Sequence, residues 1–149
     1  MPVSLINPAS LGGVPAFSAF HSTTQTLTLD TLNKILFNTE LFDTNNNFAS
    51  SRFTPTVAGY YQCSCGLRVN NNPIGALHVQ IRINNTSPVA QGSFTNTGLA
   101  AFMTSCSGLV YLNGSTDFVE VYCYNGTSGA TAESGTGVTY FQGVMVRAA

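Results

Sequence analysis

Residues 52–69, RFTPTVAGYYQCSCGLRV, are the most informative stretch of this 149-residue chain for its fold class. The second half of the stretch alternates between two kinds of position. One face would hold Tyr61, Cys63, Cys65, Leu67 and Val69, and the other face would hold Tyr60, Gln62, Ser64, Gly66 and Arg68. A period of two is typical of a strand with one face in a hydrophobic core. The stretch therefore predicts a central β-strand.

Further strands are predicted on both sides of this one. Alternating or apolar runs occur at 77–84 (LHVQIRIN), 99–112 (LAAFMTSCSGLVYL, with Gly108 as a candidate bulge), 117–125 (DFVEVYCYN) and 138–147 (VTYFQGVMVR). Turn signals separate them, including Asn70-Asn71-Asn72-Pro73 and Asn113-Gly114. Residues 32–41 read equally well as helix or strand, and 127–137 reads as a flexible loop. About eight strands at this spacing predict an all-β antiparallel sandwich or jelly roll.

Charge is scarce in this chain, and its scarcity excludes several classes of function. Only five Lys or Arg and six Asp or Glu are present, 7% of the residues, while hydrophobic residues make up 44%. Five scattered cations are too few for a nucleic-acid groove or a polybasic membrane anchor. The hydrophobic content also excludes disorder driven by charge. A chain of this length is expected to form one domain.

The start of the chain bears on where the protein is expected to work. Residues 1–14 contain two prolines and a Gly12-Gly13 pair without any periodicity, and they read as an arm. They lack the basic start and long apolar stretch of a signal peptide. No run of about 18 apolar residues occurs anywhere in the chain. We therefore expect neither export by that route nor a transmembrane helix.

The four cysteines are interpreted as free thiols. Cys63 and Cys65 lie on the same face of a strand with their Cα atoms about 6.6 Å apart, which is near the upper limit for a disulfide. Small buried thiols are therefore expected at Cys63, Cys65, Cys106 and Cys123. The alternative is a zinc site, but the two histidines do not complete a ligand pattern with these cysteines.

The last predicted strand is apolar on both faces. Val138, Tyr140, Val144 and Val146 fall on one face, and Phe141 and Met145 fall on the other. In an antiparallel sandwich one sheet face is normally solvated. A strand that is apolar on both faces needs a second cover, and another copy of the chain would supply one. The pattern therefore predicts an oligomer.

Four segments together resemble the C1q/tumour-necrosis-factor-like family. They are PAFSAF (15–20), ILFNTELFDTNNNF (35–48), RFTPTVAGYYQCSCGLRV (52–69) and YFQGVMV (140–146). The resemblance covers residues 15–149 and implies a ten-stranded jelly roll that assembles as a tight homotrimer. It also implies that the first, central and last strands share the inner sheet, toward the threefold axis.

The chain departs from the secreted members of that family. It shows no collagen-like Gly-X-Y stalk and no signal peptide. Its Asn- and Thr-rich, charge-poor segments look instead like the versions found in bacteriophage and other viral structural proteins. This implies a protein made in the host cytoplasm and carried on the virion surface.

The resemblance also implies which residues meet a partner. The candidates for the trimer interface are Phe17, Tyr60, Gln62, Arg68, Tyr140, Val144 and Val146. The candidates for docking the arm to another virion protein are Val3, Leu5, Ile6 and Leu11. The domain boundaries are therefore placed at 1–14 for the arm and 15–149 for the jelly roll.

The sequence offers little for catalysis. The acidic residues are dispersed, and the two histidines, His21 and His78, are interpreted as solvated or interface residues. Residues 43–54 do not match the calcium-binding loop of an EF-hand, because Phe48 stands where Gly is needed and Thr54 stands where Glu is needed. A calcium site of another type remains the alternative to an Asn-rich turn. We expect no enzyme activity. Apart from the alternative calcium ion, we expect no cofactor.

Three functional hypotheses remain. The first is a trimeric capsid decoration or head-fibre protein, docked to another virion protein through its arm. The second is a receptor-binding tip of a tail fibre that recognises a glycan or protein of the host surface, with Tyr60, Tyr122 and Tyr124 as contacts unless they pack in the core or at the axis. The third is a secreted C1q-like ligand, which the missing export signal disfavours.

Overall fold

A computed structural model describes residues 13–70 and 75–149, which form two antiparallel β-sheets. No helix long and apolar enough to span a bilayer occurs in those two ranges. Sheet A contains β1 (Ala16–Phe20), β2 (Gln25–Thr26), β4 (Thr39–Asp43), β7 (Gly59–Asn70), β10 (Phe102–Leu112), β12 (Thr131–Ala132) and β13 (Tyr140–Ala148). Sheet B contains β3 (Thr31–Lys34), β5 (Phe48–Ala49), β6 (Arg52–Phe53), β8 (Gly75–Ile83), β9 (Ser87–Asn96) and β11 (Val119–Asn125).

The stretch at 52–69 supplies the centre of sheet A, as predicted. Strand β7 pairs with β10 on one side and with β13 and β12 on the other, and β13 in turn pairs with β1. The first, central and last strands of the domain therefore lie side by side in one sheet. The predicted alternation is confirmed, because the five apolar residues of β7 from Tyr61 to Val69 are fully buried.

The core lies between the two sheets and is rich in aromatic rings. Phe17 stacks on Phe53 at a centroid distance of 4.3 Å and meets Phe141 edge-on at 4.9 Å. Phe17 and Phe141 come from sheet A and Phe53 from sheet B, so this cluster joins the layers. Offset-stacked and edge-to-face pairs each contribute about 0.5–1.5 kcal/mol beyond the area they bury.

Several local predictions were wrong. Gly108 is not a bulge, because β10 keeps a continuous register through it, opposite Cys63. Because Gly108 has no side chain, strand β9 can pack closely against it. A Cβ at this position would lie 3.0 Å from the Cβ of Ala90 on β9. Residues 127–137 are not a loose loop either. They hold β12, which pairs with β7 and β2, and the side chains of Ala130 and Ala132 are fully buried.

The strand count also differs from the expectation. Thirteen strands occur in the described residues, because short pieces such as β5 and β6 are counted separately. The ambiguous stretch at 32–41 contains most of β3 and the first half of β4 and no helix. Within the predicted turn at Asn70-Asn71-Asn72-Pro73, only Asn70 belongs to the described residues.

Candidate assembly face

The outward face of sheet A carries an unusual amount of exposed apolar surface. We call this surface the assembly face. Its large apolar side chains are between 41% and 57% exposed and are Phe42, Tyr60, Met103, Leu109, Tyr111, Val144 and Val146. Scattered exposed apolar residues are ordinary, but a contiguous set on one sheet face marks an interaction surface.

The strand registers make this set contiguous. Val144 lies opposite Ala16 on one side and opposite Gln62 on the other, and Gln62 lies opposite Leu109. These four residues form one row across β1, β13, β7 and β10. Because side chains on one face recur at every second residue, the neighbouring rows continue the same surface.

One end of the assembly face is concave. Tyr60 and Tyr111 are cross-strand neighbours with their ring centroids 5.5 Å apart. Beside them lies an open cavity of about 540 Å³ that is bordered by Tyr60, Leu109, Val146 and the last residues of the chain. The other edge of the face carries Phe42, which is 51% exposed and borders a second cavity of about 390 Å³ with Val144.

The centre of the assembly face is neutral. The row beside Val144 contains Ser18, Gln142, Ser64 and Ser107, and Gln142 donates a hydrogen bond to Ser64 at 3.1 Å. Charge is found toward the ends of the face. There Arg68 forms an ion pair with Glu133 at 2.9 Å. A neutral centre can be covered without burying an unpaired charge.

The structure places six of the seven predicted interface residues on this outward face. They are Tyr60, Gln62, Arg68, Tyr140, Val144 and Val146, and they come from β7 and β13. Tyr140 packs over Gly66, where a Cβ would lie 2.5 Å from its ring.

Phe17 was placed wrongly among the interface residues. Its side chain is 1% exposed and lies inside the sandwich of a single chain. Both alternating positions of β1 hold apolar residues, so the pattern did not reveal which of them faces the core. The docking candidates Val3, Leu5, Ile6 and Leu11 lie outside the described residues.

Sequence reasoning missed four contributors to the face: Phe42, Met103, Leu109 and Tyr111. The signal for three of them was present, because they occupy the alternate positions of β10 opposite its buried residues. The fourth, Phe42, lies on β4, one residue after the stretch at 32–41 where helix and strand could not be distinguished.

The histidines differ from each other in their surroundings. His78 is partly exposed and its Nδ1 is 2.8 Å from the Ser93 hydroxyl, in line with the prediction of a surface residue. His21 was predicted at the surface as well but is 1% exposed. Its Nδ1 is hydrogen-bonded to the carbonyl of Leu36, and its Nε2 has no partner among the described residues. Burial lowers the pKa of His21, and the hydrogen bond to Leu36 opposes this only in part.

No group of three or more His, Cys, Asp or Glu side chains is arranged to hold a metal ion in residues 13–70 and 75–149. In the Asn-rich turn the Asp43 carboxylate accepts backbone hydrogen bonds from Asn45 at 3.3 Å and Phe48 at 2.6 Å. All four cysteines are free thiols, and burial raises the pKa of Cys63 and Cys123 to about 12. Cys106 is only partly buried, contrary to expectation.

No protein-family model matches the sequence, and no curated protein matches it. Several solved structures are similar to the chain. The globular domain of zebrafish complement 1qA is 21% identical with a TM-score of 0.69, over 91% of this chain and 99% of that one. Murine APRIL at pH 8.0 is 7% identical with a TM-score of 0.72, over 89% and 99%. Eiger TNF from S. frugiperda is 9% identical with a TM-score of 0.68, over 91% and 94%. The chain therefore has the jelly-roll fold of the C1q and tumour-necrosis-factor globular domains.

Proposed function

We propose that this chain is a non-enzymatic assembly module that forms a homotrimer through its assembly face and serves on a virion surface, as a capsid decoration or head fibre. The observation that carries the assembly is the contiguous, exposed apolar surface on sheet A, which is neutral at its centre. In a single chain this surface faces water.

The shape of the face favours a ring over a two-fold dimer. Leu109, at the concave end, lies on β10 at one edge of sheet A, and the exposed Phe42 lies on β4 at the opposite edge. A two-fold contact requires a patch that complements itself, whereas two different patches that complement each other generate a ring when the rotation between copies closes. Three copies are the number that the family resemblance implies.

The virion role is the finer part of the proposal. It is supported by the low charge, because a shell presents many copies of one surface and a neutral exterior avoids summing like charge. It is also supported by the sequence style and by the unpatterned segment at 1–14. The similar solved structures come from animals, and at 7–21% identity their likeness concerns the fold alone.

Two experiments test the proposal. Native mass spectrometry of the full chain should give a mass about three times the 15.7 kDa of one copy. Deletion of residues 1–14 should leave that mass at three copies while abolishing incorporation into particles. Retained incorporation would contradict the docking role of the arm. Binding of purified trimer to host cells, without incorporation, would favour the receptor-binding hypothesis instead.

A further inference from the structure

The outward face of sheet B gathers three of the five cationic side chains of the protein around one carboxylate. Glu120 on β11 lies opposite Arg82 of β8 and opposite Arg52 of β6, and the next outward residue of β11, Tyr122, lies opposite Lys34 of β3. Glu120 is 1% exposed. In a chain with 7% charged residues, this is a local concentration of charge.

Glu120 is held as a carboxylate. Lys34 donates to its Oε1 at 2.5 Å, Arg52 Nε donates to the same oxygen at 2.8 Å, and the Tyr122 hydroxyl donates to Oε2 at 2.9 Å. Burial alone would raise the pKa of Glu120, but these hydrogen bonds outweigh it and hold the pKa below its ordinary value. One negative charge is therefore paired with two positive charges, those of Lys34 and Arg52, and Arg82 lies on the neighbouring strand, so the cluster is cationic.

Arg52 is fixed in place but open on one side. Its guanidinium lies 3.7 Å over the ring of Phe118, and its Nε is bound to Glu120. Its two terminal amino groups have no hydrogen-bond partner within the described residues, and its side chain is 43% exposed. A guanidinium that is held flat with two donors free is preorganised for a bidentate carboxylate.

A cavity of about 510 Å³ opens beside Arg52 and Lys34. Its other lining residues are polar except Ala49 and include Asn46, Ser50, Thr54 and Thr56. Asn47 also lines the cavity, and its side-chain amide contacts Thr56 through both its nitrogen and its oxygen at 3.4 Å. Volumes of 300–1,000 Å³ are usual for small-ligand sites.

We propose that this cavity binds an acidic saccharide. The sugar carboxylate pairs with Arg52 and Lys34, and the hydroxyl groups of the ring bond to the side chains of Asn46, Ser50, Thr54 and Thr56. The lining favours a polyhydroxylated ligand over a peptide, because it offers amides and hydroxyls and only one small apolar side chain, Ala49.

The site does not depend on the proposed trimer, because a single chain supplies all of its residues. It lies on the sheet opposite the assembly face, so trimer formation would leave it open. Three sites in one trimer would strengthen weak binding to a surface that carries many sugars.

Binding can be measured by NMR titration or calorimetry on the full chain with N-acetylneuraminate, galacturonate, galactose and inorganic phosphate as probes. We expect saturable binding of at least one acidic sugar, with galactose and phosphate at least about 10-fold weaker. Galactose lacks the carboxylate that pairs with Arg52 and Lys34, and phosphate lacks the ring hydroxyl groups that bond to the polar walls. Arg52→Gln should weaken binding by about 10-fold or more. Arg147→Gln, which removes the same charge from sheet A, should not change it.

Thr54→Val provides a second test that leaves the Glu120 cluster intact, and it should also weaken binding. The proposal is overturned if neither acidic sugar binds, if phosphate binds as well as both sugars, or if Arg52→Gln and Thr54→Val bind as tightly as the unmodified chain while retaining its circular dichroism spectrum.

Two of the thiols, on neighbouring strands of sheet A, lie close together. Cys65 on β7 and Cys106 on β10 are directly opposite in the register, and their sulfur atoms are 3.4 Å apart. Residues opposite each other on antiparallel strands have Cα atoms about 4.5–5.5 Å apart, which falls inside the range that a disulfide spans. Cys63 and Cys65 lie two residues apart along one strand, so they do not have this short cross-strand Cα distance.

We infer that Cys65 and Cys106 are a site of oxidation by peroxides. Cys106, the partly exposed thiol, attacks hydrogen peroxide as a thiolate and displaces hydroxide, which leaves a sulfenic acid. Cys65 then attacks that sulfur, its proton leaves with the departing hydroxide as water, and a disulfide forms. In sum, two thiols and one peroxide give one disulfide and two waters.

The hydrogen bond between the two sulfurs supports these separate roles. It lowers the pKa of Cys106, and the same bond together with burial keeps the pKa of Cys65 well above its ordinary value. Cys106 therefore forms the thiolate more readily and Cys65 remains the proton donor.

Peroxide treatment of the full chain followed by thiol counting in denaturant tests this inference. The four free thiols should fall to two and the mass should drop by about 2 Da. Cys63→Ser should still form the disulfide. Cys65→Ser should instead leave a sulfenic acid on Cys106 that dimedone traps. Four thiols remaining after treatment, or a disulfide mapped to any other pair, would overturn it.

Discussion

Leu109 lies directly opposite Gln62 across β10 and β7, with its side chain 57% exposed at the concave end of the assembly face. Another copy can cover a leucine beside a neutral amide without burying an unpaired charge. We expect Leu109→Lys to place a charge in that contact and to cost about 2 kcal/mol or more per interface, as for a hot-spot residue. Sedimentation velocity should then show a monomer at concentrations where the unmodified chain is assembled.

Leu99→Lys is the matched control for that variant. Leu99 is also exposed, at 55%, but it lies outside every strand, between β9 and β10. Its substitution should leave the assembly unchanged. Equal assembly by the Leu109→Lys and Leu99→Lys variants would show that the face is not the contact.

Phe17 belongs to the core and should affect the free energy of unfolding. Phe17→Ala removes a ring that stacks on Phe53 and Phe48 and meets Phe141. The expected loss is about 3–5 kcal/mol, which is the usual cost of deleting a buried ring. Urea unfolding monitored by circular dichroism gives this value. A loss below about 1 kcal/mol would mean that Phe17 is not packed as described.

The sequence predicted most of the fold and about half of the assembly face. The strict alternation of residues 60–69 was sufficient to identify β7, because only one of its faces is apolar. The segment PAFSAF did not reveal that Phe17 faces the core, because both faces of the strand it forms carry apolar or small residues. The group of Lys34, Arg52 and Arg82 around Glu120 was not predictable, since only the pairing of distant strands brings these residues together. The one available signal was Glu120 itself, a carboxylate within the apolar run VEVYC.

His21 should make stability depend on pH in the mildly acidic range. Its pKa is lowered in the folded chain, so the unfolded chain binds the proton more readily. Stability is therefore complete above the ordinary His pKa of 6.5 and declines as the pH falls below it toward the folded value. His21→Asn should remove this decline. Thermal unfolding of both chains between pH 8 and pH 5 gives the comparison, and an identical decline in the variant would contradict the assignment.

Glu120 should make the stability depend on pH in a more acidic range than His21 does. Because its folded pKa is held below the ordinary value of 4.5, its contribution is complete above that pH and is lost as the pH falls through the folded value. Glu120→Gln should cost about 2 kcal/mol at pH 7, less than the roughly 3–5 kcal/mol for breaking a fully buried ion pair, because Lys34 and Arg52 are partly exposed and can be hydrated. Unfolding in urea at pH 7 and pH 4 measures both effects. A variant as stable as the unmodified chain at pH 7 would contradict this role.

Sedimentation equilibrium of the full chain over a range of concentrations measures whether three copies join through the assembly face. We expect a single species with a mass about three times the 15.7 kDa of one copy, dissociating only on dilution. A monomer at all concentrations would contradict it, because the exposed apolar face of sheet A would then have no partner among copies of this chain.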